Sequence, residues 1–155
     1  MTTKELISLL GKTSGDPSVT AFLAANGITK TPKLKSDDET AIVKNPKRGL
    51  EITFDDERFL DVPSNEYDEG ALVLSNVRMY GDGIEGFKRF PGELPYGLTF
   101  EMDKKTSFAK IGSKPAKDNK ETHKARWDFK DHCLFVTYNK DYTKVRIVAT
   151  QLPLE

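Results

Sequence analysis

The chain has 155 residues, 37% of them apolar and 31% charged, enough to bury a sizeable core in one domain and too apolar for a disordered chain. Lys plus Arg and Asp plus Glu number 24 each, so the net charge is zero and the basic surplus of a general nucleic-acid binder is missing. Cys133 is the only cysteine, which excludes an internal disulfide and favours a reducing compartment, while no apolar run approaches the ~20 residues of a membrane span.

The first five residues, Met1 to Glu5, lack the apolar stretch of a secretory leader, so a cytoplasmic location is expected. A helix is predicted over 2–10. Thr2 and Glu5 have capping-box spacing, Leu6, Ile7, Leu9 and Leu10 supply an apolar face, and Gly11 stops it. A second helix starts at Asp16, a capping residue followed by Pro17 at the first helical position, and ends at Asn26-Gly27. Residues 29–38 are polar and lysine-rich, an exposed connector.

Strands dominate from there. Residues 40–43 are short and β-prone, and 45–49 form a turn cluster. Leu50, Ile52 and Phe54 alternate with Glu51 and Thr53, the period of a half-buried strand that Asp55-Asp56-Glu57 is expected to end. An acidic loop over 55–69 follows, holding Asp55, Asp56, Glu57, Asp61, Glu66, Tyr67, Asp68 and Glu69 against the single base Arg58. Residues 71–80 read as a longer strand, followed by a glycine-rich bend. Strands are also predicted over 87–90 and 97–102, a short helix over 104–111 stopped by Gly112, a charged loop over 118–124, and strands over 125–129, 133–138 and 144–152.

The halves match. Gly49 to Asp56 aligns with Cys133 to Lys140, placing Thr53 on Thr137. Leu9-Leu10-Gly11-Lys12 aligns with Lys110-Ile111-Gly112-Ser113, and residues 72–80 answer 145–152. The expected fold is therefore α+β in a single domain: two tandem helix-plus-antiparallel-strand repeats, about 1–80 and 97–155, forming a sheet with helices on one face. The other face is left free to bind.

No motif carries chemistry. Gly81-Asp82-Gly83-Ile84-Glu85-Gly86 spells a dinucleotide fingerprint, but Phe87-Lys88-Arg89-Phe90-Pro91-Gly92 is not the helix that must follow it. His123, His132 and Cys133 lack metal-ligand spacing, and neighbouring residues on a strand point to opposite faces. An unrecognised enzyme site would instead need a deep pocket holding His123 or His132 beside a carboxylate. Trp127 is first a core residue and second a hot spot on the free face. A nucleic-acid interface would need Lys30, Lys33, Lys35, Lys44, Lys47 and Arg48 in one patch.

Residues 72–80, 86–100, Leu9-Leu10-Gly11-Lys12 with Asp16-Pro17, Arg126-Trp127-Asp128 and 134–138 together resemble a family of immunity proteins from bacterial polymorphic-toxin loci of the Rhs, type VI or contact-dependent kind. The helix-then-strands repeat is more weakly similar to the β-lactamase-inhibitor-protein architecture. The resemblance implies a non-enzymatic cytoplasmic antitoxin, without cofactor, metal, nucleic acid or membrane partner. It would be a monomer alone and a 1:1 heterodimer with a toxin domain whose active site it blocks. Contacts are expected from the acidic loop (Asp55, Asp56, Glu66, Tyr67, Asp68, Glu69) and from the bend (Tyr80, Asp82, Glu85, Phe87, Arg89). The alternative is a binding adaptor of secretion or envelope machinery.

Overall fold

The structure, a computed structural model, describes residues 1–35, 37–60 and 66–154. Asp61, within the expected acidic loop, lies outside the described residues.

Helix α1 (Thr3–Leu9) starts as the capping box requires: the Thr2 side chain accepts from the Glu5 N–H, and the Glu5 carboxylate accepts from the Thr2 N–H. Helix α2 (Pro17–Ala25) is capped by Asp16, whose carboxylate accepts from Ser18 N–H. Helix α3 (Lys104–Ile111) is capped in the same way by Asp103 on Thr106 N–H, and Gly112 closes it in the left-handed region. Local chemistry set all three.

Seven strands are present among the described residues: β1 (Thr40–Asn45), β2 (Leu50–Asp56), β3 (Leu72–Tyr80), β4 (Lys117–Asn119), β5 (Lys124–Asp128), β6 (Cys133–Tyr138) and β7 (Val145–Gln151). They form one antiparallel sheet in the order β1-β2-β3-β7-β6-β5-β4. The chain's two strand groups meet where β3 pairs with β7, Arg78 opposite Ala149. Register slips once in β2 against β3, between Thr53 and Phe54, and once in β6 against β7, between Thr137 and Tyr138.

One face of the sheet carries the core. Leu50, Ile52 and Phe54 of β2, Val77 and Met79 of β3, Val148 of β7, and Leu134, Val136 and Tyr138 of β6 are buried together with Leu6 and Leu9 of α1 and Val19, Phe22 and Leu23 of α2. Phe108 and Ile111 of α3 pack on the same cluster. Alternation therefore turns every second strand residue away from the helices, onto a face without a helical cover.

Three expectations need correction. Residues 87–90 and 97–102 are not strands. They run across the molecule as irregular chain with a short 3-10 turn at Pro95–Gly97. Pro91, Gly92, Pro95 and Gly97 break any ladder, and Leu94, Leu98 and Phe100 are buried in the core instead. Asp55 and Asp56 do not start a loop, because β2 continues through them, paired with Val73 and Leu72. The expected charged loop over 118–124 opens with the short edge strand β4, paired to β5.

Candidate functional site

The two residue groups expected to contact a partner lie apart. Asp55 pairs with Val73 near the start of β3, and Tyr80 ends it. Seven residues of strand separate these ends, about 23 Å. The uncovered sheet face spans the gap.

Some of the expected contacts are not surface groups. Asp56 is 1% exposed. Its Oδ1 accepts from the backbone N–H and Nε of Arg58, and its Oδ2 accepts from Nη2 at 2.7 Å. These bonds hold the carboxyl below the usual aspartate range. A depressed folded value means that the stabilisation is complete above the unfolded pKa and is lost as the pH falls through the folded one. The D56N variant is therefore expected to lose stability less steeply than wild type below about pH 4. Urea unfolding across pH 2 to 6 reads this, and parallel slopes would refute it.

Tyr80 and Phe87 are buried against each other, ring centroids 3.9 Å apart and nearly parallel. With Ile147 and the half-buried Ile84 they form a small apolar cluster separate from the main core. The Tyr80 hydroxyl donates to Glu51 Oε2 at 2.9 Å, and burial, with this bond, raises its pKa. The glycine-rich bend thus closes on itself, Gly83 N–H donating to Phe87 O, and serves as one rim of the open face. Asp82 and Glu85 are exposed on this bend, while Arg89 is exposed but held by Glu101 at 2.5 and 2.9 Å. In the other expected segment Glu66, Asp68 and Glu69 are exposed, and the Tyr67 hydroxyl donates to Gly11 O just beyond α1.

A free sheet face was expected, but residue-type reasoning did not find which side chains make it up. One cross-strand row begins with Lys44, Glu51 and Arg78 on β1, β2 and β3, continues through Ala149 and Phe135, and ends in Arg126 and Lys117 on β5 and β4. Arg126 is paired with Asp128 at 2.9 Å. The next row begins at Ile42, opposite Thr53, and crosses Asn76 and Gln151, whose side chains bond at 3.0 Å. Ile42 is 56% exposed; Phe59 and Leu154, at 46% and 38%, lie beyond this row. Phe59, Leu154, Asn76 and Gln151 edge a cleft of about 230 Å³. A second cleft of about 150 Å³ lies mid-face, between Arg78, Lys124 and Phe135. On the helical side a groove of about 520 Å³, lined by Leu6, Leu9, Phe22 and Phe90 with Arg48 at its margin, runs beside α1 and α2.

His132 is not isolated. Its Nδ1 lies 2.6 Å from Asp131 Oδ1 and its Nε2 2.5 Å from the Tyr96 hydroxyl, with Phe129 stacked on it. The order carboxylate, imidazole, hydroxyl is that of a nucleophilic relay. Yet His132 is buried, burial and the Asp131 charge push Tyr96 up to about 12, and His132 lines none of the clefts described above. The arrangement satisfies a buried imidazole and ties residue 96 to residue 132. Cys133 is buried, its thiol raised above its ordinary pKa by burial and 3.3 Å from Asp128. Trp127 is buried on the covered face, donating Nε1–H to Ser113 O.

Among the described residues, no helix is long and apolar enough to cross a membrane. In comparisons with known proteins, no family, no curated protein and no solved structure matches this chain.

Proposed function

We propose that this protein is an immunity protein that neutralises a cognate antibacterial toxin domain by forming a 1:1 heterodimer over the toxin's active site. The observation that carries this reading is the uncovered sheet face. It holds three of the four large apolar side chains found exposed among the described residues within or beside one strand layer. Exposed apolar groups gathered in one patch and edged by polar ones favour an interaction site. A rigid sheet also loses little conformational entropy on docking.

The fold reads as two tandem helix-plus-three-strand repeats. Aligning Thr53 with Thr137 also aligns the register slips in β2 and β6. The same alignment places Arg78 on Ala149, its own pairing partner, so the two halves relate by a local twofold passing between β3 and β7. Gly11 and Gly112, both at positive φ, follow α1 and α3 at matching positions. Helix α2 and strand β4 are the additions particular to each half.

Co-expression with the product of the neighbouring gene is the test. The pair is expected to co-purify as a 1:1 complex burying roughly 1,600 Å², and to relieve that product's toxicity. No association at micromolar concentration, with toxicity unrelieved, ends the reading.

A further inference from the structure

The middle of the open face has a chemistry of its own. Arg78 stands on the interior strand β3, next to the central strand β7, and its Nε is buried without a hydrogen-bond partner among the described residues. Its cross-strand neighbour Glu51 makes no ion pair with it, and Glu51 Oε2 accepts the Tyr80 hydroxyl. The guanidinium carbon lies 5.8 Å from the Tyr80 ring centroid. On the far side of the same cleft, Lys124 Nζ lies 5.7 Å from the ring centroid of Phe135. Two cations thus flank a space of about 150 Å³ whose floor is Phe135, Ile147 and Ala149. A buried guanidinium N–H left unpaired costs stability unless something accepts from it. Nothing within the described chain does so.

We infer that this cleft is a receptor for a carboxylate side chain of the protein partner, the Arg78 fork binding its oxygens while Lys124 supplies a second positive charge. The inference rests on the proposed heterodimer and names the chemistry of the opposing surface: an Asp or Glu beside an apolar side chain, the latter seated near Ile42 and Phe59. The charge balance of the face supports this. Its described side chains include Lys44, Arg78, Lys117, Lys124 and Arg126 against Glu51, Asp55 and Asp128, with Arg126 and Asp128 paired to each other. A nucleic acid fits less well. The cleft is too small for a nucleotide, Glu51, Asp55 and Asp128 on the same face repel a polyanion, and the exposed Ile42 and Phe59 have no partner in a phosphate backbone.

The test has two arms. In the first, the ¹⁵N-labelled full chain is titrated with a capped acidic–apolar peptide (acetyl-Glu-Leu-Glu-Phe-amide), its lysine counterpart, and a ten-residue oligothymidylate. The acidic peptide is expected to shift the Arg78 Nε–H and the amides of Lys124 and Phe135, with about tenfold weaker binding in R78Q and in K124Q. Preference for the oligonucleotide, or shifts confined to the α1–α2 groove or to residues 66–69, overturns the proposal. In the second arm, the neighbouring gene's product is bound to wild type and to R78E, with melting temperatures compared to show that both are folded. A loss of about 100-fold is expected. Equal binding by R78E overturns the carboxylate receptor and leaves the immunity reading standing. Failure of the product to bind wild type ends the immunity reading, and the peptide arm then decides the receptor by itself.

Discussion

Replacing Trp127 with alanine is expected to destabilise the protein by about 3–5 kcal/mol, a large share of the ~5–15 kcal/mol by which such domains are stable. The side chain lies wholly inside, on the covered face of β5, opposite Leu134. Phe108 of α3 meets it edge-on, ring centroids 5.1 Å apart. Its removal opens a cavity between the sheet and α3, at an end of the core where α3 brings only Phe108 and Ile111. The indole N–H donates to Ser113 O just beyond that helix, so the deletion also unties the chain after Gly112. The W127F variant keeps a ring and loses this bond, so its cost is expected to be nearer 1–2 kcal/mol. Circular dichroism during urea denaturation measures both, since the substitution removes the chain's sole tryptophan fluorophore. A W127A loss below about 1 kcal/mol would place the indole outside the core.

Gly49→Ala is expected to cost about 2–4 kcal/mol through two separate effects. Gly49 has φ 62°, where a side chain is strained. A Cβ there would also lie 2.2 Å from Lys88 O and 2.5 Å from Phe90 N. Those are backbone atoms, and they are pinned: Lys88 N–H donates to Pro46 O and Phe90 N–H to Tyr80 O. Moving the crossing segment away would strain or break these bonds. Gly83→Ala is the control, because Gly83 also has positive φ but has open space around the added carbon. It is expected to cost only about 1 kcal/mol. Thermal melts of the two variants separate conformational strain from steric clash, and equal losses would refute the close approach. Gly49→Ala is further expected to loosen the Tyr80–Phe87 stack, since Tyr80 N–H donates to Gly49 O.

The parts of this fold that were legible in the sequence are those set by neighbours along the chain. The capping box at Thr2 and Glu5, Asp16 before Pro17, and Gly112 after Ile111 each satisfy helix-end groups within a few residues, so residue type alone locates them. Strand β6 was readable because turn residues bracket an apolar run on both sides. The irregular crossing over 88–102 was not readable. Its short apolar runs imitate strands, and only the packing of Leu94, Leu98 and Phe100 under the sheet explains them. Asp56 misled in the same way. Carboxylate pairs normally end strands, but here Arg58 folds back to neutralise one of them at the core's edge.

The binding surface shows the same division. The sequence by itself determined that the strands have two unlike faces and that no familiar catalytic motif is spelled out. It did not determine which residues of distant strands stand side by side. Arg78, Phe135 and Arg126 are unremarkable on their own strands, and they become one row only when β3 pairs with β7 and β7 with β6. That register is fixed by burying Val77, Val148, Val136 and their neighbours on the opposite face, because a slip of one residue would turn the whole apolar set to water. Core packing, a long-range effect, therefore decided where the open face's charges fall, whereas hydrogen bonds within single turns decided where the helices begin and end.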